Sequence, residues 1–229
     1  MNRQAQGVVL FLVGAAVLRA SLTDLYLRYV KAGLRPLLLL TGVVLIVAAA
    51  ATFWYERRPA REEAHREPRV AWLLVLPLFA LVLVAPPALG SYAASRTGTA
   101  LQRPPGFPEL PAGDPVELGV ADYAGRAVYD HGRSIGDRRV KLTGFVTVSR
   151  GGVPYLTRMI ISCCAADAQP VKVGLSGQVP PILQPDTWLE VVGTYTGRQA
   201  KDVVNNGPIP FIDVIQARPV KAPRDQYES

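Results

Sequence analysis

Long apolar segments fill the N-terminal third of this chain, and they constrain its fold more than any other feature. Residues 37–52 contain no charged side chain, and with its flanks the segment 34–54 matches the roughly 20 residues that cross a bilayer. Residues 70–89 hold no ionisable group and are as long. This second segment contains prolines, which membrane helices tolerate better than soluble ones. The sequence therefore predicts transmembrane helices at about 34–54 and 70–89.

A further transmembrane helix is predicted at about residues 7–29. Its apolar run, Gly7–Leu18, is short and is followed by Arg19, Asp24 and Arg28. Asp24 and Arg28 stand at i,i+4 spacing and could neutralise each other. Charges at membrane depth suggest function, whereas a helix end in the headgroup region is the simpler alternative. A cleaved signal peptide is another alternative, but no small-x-small cleavage site follows the run before Arg19.

The distribution of charge predicts how these helices are oriented. Five arginines lie between the segments 34–54 and 70–89, which marks that loop as cytoplasmic. They are Arg57, Arg58, Arg61, Arg66 and Arg69. Three spans would then make a multi-pass protein of the cell membrane, with the N-terminus inside and the C-terminal domain extracytoplasmic. Arg28, Lys31 and Arg35, in the first loop, oppose the rule.

The net charge of +7 belongs mostly to the membrane part of the chain. From Val116 to the end there are 13 basic and 11 acidic residues, a net charge of only +2. A nucleic-acid-binding protein concentrates positive charge on its binding domain. We therefore expect no nucleic-acid partner.

The C-terminal half shows the pattern of a small all-β domain. Residues 91–115 are rich in Gly, Pro, Ser and Thr, which predicts a semi-stiff linker or a segment strapped to the surface. Beyond it, short alternating or β-branched runs predict five strands, and glycines inside two of them suggest sharp bends. The strands are predicted at 140–148, 155–162, 171–175, 188–195 and 211–215. We expect residues 116–229 to form an OB-like small barrel.

Two further expectations concern the interior of this barrel. A short helix or strand from residues 123–136 should pack on its end. The expected core residues are Leu142, Phe145, Ile160, Val173, Leu189, Val191 and Ile212.

Cys163 and Cys164 are the only cysteines, and they are adjacent. Adjacent side chains of a regular strand point to opposite faces, so both sulfurs can bind one ion only if the strand ends or bulges there. The following residues predict such a break, because Pro170 disfavours helical structure in the residue before it. If one helical turn follows, Asp167 shares a face with both cysteines.

This cluster predicts a site for zinc or another thiophilic metal ion, with Cys163, Cys164 and Asp167 as ligands and His131 as a further ligand. Two alternatives stay open. The first is an extracytoplasmic thiol redox protein with an easily reduced vicinal disulfide. The second is a structural assembly subunit whose cysteines are buried in the barrel wall. Ser162 has no nearby histidine, and there is no glycine-rich phosphate loop, so we expect no enzyme.

Three segments carry a resemblance to a known family. They are residues 144–146, residues 158–170 with the Cys-Cys-x-Ala-Asp core, and residues 188–193. They resemble the bacterial YcgQ-type family, whose members join an N-terminal hydrophobic part to a C-terminal domain of unknown function; residues 29–30 and 35–36 fit it more loosely. The resemblance implies an accessory subunit of a multi-spanning permease related to organoarsenical exporters. We expect the barrel to present its cysteine cluster at the mouth of that pathway.

Overall fold

The computed structural model describes residues 3–56, 80, 84, 86–149, 151–181 and 183–228. The chain divides into two compact units, Met1–Pro87 and Ala88–Ser229. The arginine-rich loop lies outside the described residues, and so does most of the helix predicted at 70–89.

The N-terminal unit contains two packed helices, α1 (Arg3–Leu22) and α2 (Arg35–Glu56). Among the described residues, one apolar stretch, Ala32–Tyr55, is long enough to cross a membrane, whereas the apolar part of α1, Gln6–Leu22, is shorter. A membrane anchor and a signal sequence both have these properties. The part of the chain that the structure describes therefore contains one candidate anchor helix, and the multi-pass topology stays a prediction.

Asp24 and Arg28 lie beyond α1, whereas Arg19 lies in its last turn. The helix ends at Leu22, and Asp24–Arg28 form a 3-10 helix capped by Thr23, whose hydroxyl accepts a hydrogen bond from the Leu25 amide. Serine, threonine and aspartate favour such caps because their oxygens satisfy free backbone N–H groups. The predicted helix over 7–29 is thus divided at Thr23.

The C-terminal unit contains a closed five-stranded β-barrel, as predicted. Its strands and helices follow in chain order, with two-residue strands at the domain's beginning and end. They are α3 (Ser91–Arg96), β1 (Val116–Glu117), α4 (Val120–Tyr129), β2 (Val140–Val148), β3 (Pro154–Ile160), β4 (Gln169–Gly177), β5 (Trp188–Lys201), β6 (Pro208–Pro219) and β7 (Tyr227–Glu228). All five predicted strands are present. β4, β5 and β6 are longer than predicted, and β3 ends at Ile160 rather than at residue 162.

The barrel closes through one parallel pair of strands. β2 lies between β3 and β5 and is antiparallel to both, while β3 pairs antiparallel with β4 and β5 with β6. β4 and β6 then run parallel, from the pair Gly174–Phe211 to the pair Gly177–Val214. Gly144 permits the close approach of β2 and β3, because a Cβ there would lie 2.8 Å from the Thr157 carbonyl oxygen.

Two hydrophobic clusters fill this unit. The main cluster contains five predicted core residues, Leu142, Val173, Leu189, Val191 and Ile212. Phe145 is buried in a second, smaller cluster with Ala94, Met159, Ile161 and Tyr227. Ile160 is only partly buried at the edge of the main cluster, because it lies at the end of β3. The helix expected in 123–136 is α4, and its Tyr123 hydroxyl donates to the Phe211 carbonyl at 2.8 Å.

The segment predicted as linker or strap packs against the barrel. The Ala100 amide donates to the Pro170 carbonyl at 2.8 Å, and the Thr99 amide donates to the Asp202 carboxylate at 2.9 Å. The Ser91 hydroxyl donates to Asp186 at 2.7 Å. This segment therefore belongs to the same compact unit as the strands.

Candidate metal centre

The two cysteines lie in the turn between β3 and β4, which we call the cysteine turn (residues 161–168). β3 ends at Ile160, and Ala165–Asp167 form one 3-10 turn before β4 begins. Two backbone hydrogen bonds stabilise it, from the Asp167 amide to the Cys164 carbonyl and from Ala168 to Ala165. The break that the sequence predicts after the strand is therefore present.

The Asp167 carboxylate folds back over the start of this turn. One of its oxygens accepts a hydrogen bond from the Ser162 amide at 3.0 Å, and the other accepts one from the Cys163 amide at 2.9 Å. Hydrogen bonding by the Cys163 thiol, followed by these two amides, lowers the pKa of Asp167 below its ordinary value. The carboxylate is thus held ionised beside the two thiols.

The ligand atoms of Cys163, Cys164 and Asp167 all lie within 4.8 Å of one another. Cys163 is exposed, Cys164 is half-buried, and the two sulfurs are 3.7 Å apart. The alternative that buries both cysteines in the barrel wall is therefore wrong. Hydrogen bonding to Asp167, and then to Cys164, raises the pKa of Cys163 to about 11. Without a metal ion this thiol keeps its proton at neutral pH.

The spacing of the donors fits a tetrahedral ion. With zinc–sulfur bonds of about 2.3 Å, a tetrahedral angle separates two sulfurs by about 3.8 Å, and a linear arrangement by about 4.6 Å. The observed 3.7 Å matches the tetrahedral value. A tetrahedral sulfur–zinc–oxygen unit needs a separation of about 3.6 Å. The widest observed separation, 4.8 Å, would have to close by roughly 1 Å, which is within the reach of a side-chain rotation.

His131 is not brought into this group of donors. It is exposed and follows α4 with φ 53°. The neighbouring Asp130 carboxylate accepts a hydrogen bond from the Ser134 amide and pairs with Arg133 at 3.2 Å. Among the residues that the structure describes, Cys163, Cys164 and Asp167 form the one group of three or more such donors.

Strand β7 packs beside the cysteine turn, a contact that the sequence did not indicate. β7 pairs with the end of β3 in parallel, and the Ile161 amide donates to the Glu228 carbonyl at 3.0 Å. Ala165 and Ala168 pack against the smaller hydrophobic cluster, which includes Tyr227. A strand of two residues shows no alternation, so no sequence pattern could have revealed this contact.

A family model described as the DUF1980 C-terminal domain matches residues 121–228. The match begins in α4, ends in β7 and contains the whole cysteine turn. No curated protein and no solved structure matches the chain. Residues 121–228, which contain the barrel, are therefore similar to the DUF1980 C-terminal domain.

Proposed function

We propose that the protein is a membrane-anchored accessory subunit whose barrel binds a thiophilic metal ion, with zinc as the first candidate, and presents it to a permease. The observation that carries the proposal is the convergence of Cys163, Cys164 and Asp167 on one accessible turn. Two sulfurs and a carboxylate suit zinc, and thiolates select soft or borderline ions over magnesium or calcium.

The turn already has the form that a metal site requires. Asp167 is fixed by two backbone amides, so a bound ion would not have to order it. A carboxylate has about four acceptor positions, which leaves the oxygens able to bind an ion while they keep these hydrogen bonds. Pre-organised ligands lose less conformational entropy on binding.

The membrane anchor, the OB-like barrel and the permease partner are supported by other observations. The apolar helix Ala32–Tyr55 supports a membrane anchor, while a multi-pass topology and an extracytoplasmic barrel rest on the sequence. The strand order and the parallel closing pair of β4 and β6 support an OB-like barrel. Association with a multi-spanning permease rests on the resemblance to the YcgQ-type family. Neither an enzymatic activity nor nucleic-acid binding is part of the proposal.

Metal analysis of the full-length chain in detergent tests the site. We expect about one zinc ion per chain after loading and dialysis, and none in the double variant Cys163→Ser, Cys164→Ser. His131→Ala serves as a matched control, because the structure leaves this residue out of the donor group. Circular dichroism checks that each variant is folded. Equal zinc content in the wild type and the double serine variant would refute the ligand role.

A thiol redox role is the second candidate, and the 3.7 Å separation of two free sulfurs favours it. The sulfurs would have to approach to about 2.05 Å, in a strained ring. In that reaction the two thiols give two electrons and two protons to glutathione disulfide, which becomes two glutathione molecules. Thiol titration across a glutathione series, with and without zinc, distinguishes the roles. A reversible loss of both thiols that zinc does not prevent would favour redox chemistry.

A further inference from the structure

The donor group of the cysteine turn stops at three. In the part of the chain that the structure describes, no fourth His, Cys, Asp or Glu joins Cys163, Cys164 and Asp167. Structural zinc sites are closed by four protein ligands, whereas sites that act on an incoming group keep one position open. A tetrahedral ion held by this turn would therefore have one free position.

That free position is accessible from solution. Cys163 is exposed, and the residues Ser162 and Ala166 beside the donors are exposed too. Cys164 and Asp167 are half-buried, and the turn packs on the smaller hydrophobic cluster through Ala165 and Ala168. One side of the donor group is thus supported by the barrel, and the other side is open to an approaching group.

The hydrogen bonds of the cysteine turn are also complete without an ion. Both Asp167 oxygens are satisfied by backbone amides without an ion, and the two thiols contact each other. Release of an ion would leave no buried polar group unsatisfied. The turn therefore differs from zinc fingers, which unfold when they lose their metal. The empty turn therefore keeps its hydrogen bonds and does not depend on an ion for them.

We infer that this turn passes its ion on by ligand exchange, in which a cysteine or histidine side chain of the acceptor protein fills the open position before the bonds to Cys163 and Cys164 break. The inference rests on the proposed function and adds the route of transfer and the chemistry of the partner.

The exchange requires no oxidant or reductant. Two metal–sulfur bonds and one metal–oxygen bond break as bonds to the acceptor's donors form. The two thiolates released from the ion take up two protons, and acceptor thiols lose theirs as they bind. The Asp167 carboxylate returns to its two amide hydrogen bonds alone.

Transfer kinetics test this route with the full-length chain in detergent, loaded with one zinc ion. The acceptor is the chromophoric chelator 4-(2-pyridylazo)resorcinol, mixed in increasing concentration in a stopped-flow instrument. We expect a transfer rate that rises in proportion to the chelator concentration. The variant Ser162→Cys, which adds an exposed thiol next to Cys163, should transfer at least tenfold more slowly, whereas Ser162→Ala, which keeps the backbone amide that holds Asp167, should keep the wild-type rate.

Each outcome decides between the two levels of the proposal. A rate that is independent of chelator concentration means that the ion leaves before the acceptor binds, which overturns ligand exchange but leaves the metal site intact. An undiminished rate in Ser162→Cys also counts against the open position. A chain that takes up no zinc removes both the transfer route and the proposed function.

Discussion

Removing the negative charge of Asp202 should destabilise the barrel more than removing its cationic partner, Lys172. Their side chains are 2% and 6% exposed, and Lys172 Nζ donates to Asp202 Oδ2 at 2.7 Å. Asp202 also accepts the amide hydrogens of Thr99 and Val204. Every group around this carboxylate is a donor, so the NH₂ of an asparagine would face another donor.

The magnitude follows from what each substitution leaves behind. Asp202→Asn leaves the buried Lys172 ammonium without a counter-charge and removes the acceptor from one of the two backbone amides, which should cost about 3–5 kcal/mol. Lys172→Met leaves a carboxylate that still accepts from Thr99 and Val204, so its cost should be lower, about 2–3 kcal/mol. We therefore expect the asparagine variant to be the less stable of the two.

Urea unfolding of the full-length chain in detergent measures both values. Trp188 reports on the barrel, since its ring packs edge-on against that of Phe145, with the two ring centroids 5.7 Å apart. A background of Trp54→Phe and Trp72→Phe makes it the single tryptophan. A loss below 1 kcal/mol for Asp202→Asn would refute the reasoning, and so would a larger loss for Lys172→Met.

Acid should remove the stability that the ionised Asp202 carboxylate gives to the barrel. Burial opposes ionisation of Asp202, but the hydrogen bonds from Lys172, Val204 and Thr99 together outweigh it, and the pKa is lowered. A lowered pKa gives stability that is present above the unfolded value of about 3.9 and is lost as the pH falls through the folded value. The difference between wild type and Asp202→Asn should hold from pH 5 to 8 and shrink below about pH 4.

Three further perturbations test separate parts of the domain. In the metal-free chain at pH 8, Cys163 should react slowly with iodoacetamide, and Asp167→Asn should speed this reaction by lowering the pKa of the Cys163 thiol. Site-resolved mass spectrometry measures the rate, and an unchanged rate would mean that Asp167 does not raise this pKa. Glu228→Ala should cost about 1–2 kcal/mol, because this carboxylate accepts the first two amides of α4; an unchanged urea midpoint contradicts the cap. Gly144→Ala should cost about 1–3 kcal/mol, whereas Gly106→Ala, with open space around it, should be neutral in the same assay.

Much of the barrel could be predicted because its strands are long enough to show a pattern. In β2 and β5 the alternating positions Leu142, Leu189 and Val191 are buried, as their periodicity indicates. The extensions of β5 and β6 could not be predicted, because residues 196–201 carry no alternating apolar pattern and their pairing with residues 208–210 joins segments that lack a periodic signal. The position of Phe145 in the smaller cluster depends on Tyr227, whose contact is distant in sequence.

The metal centre was predictable in its donors but not in its geometry. Adjacent cysteines beside a strand end, with an aspartate one turn later, already suggest chelation. The expected route was a helical turn that aligns Asp167 with both cysteines. In the structure the helical turn begins only at Ala165, and Asp167 reaches the cysteines by accepting the Ser162 and Cys163 amides instead.

This difference explains why the aspartate can serve the cysteine turn with or without a metal ion. A carboxylate that only ligated an ion would repel its neighbours' thiolates when the ion left, and the turn would open. Here the amides of Ser162 and Cys163 hold the carboxylate, and the Cys163 thiol stays protonated beside it. The same hydrogen bonds that shape the turn thus set the condition for reversible binding: the ion must displace a proton from Cys163 to enter, and the proton returns when the ion leaves.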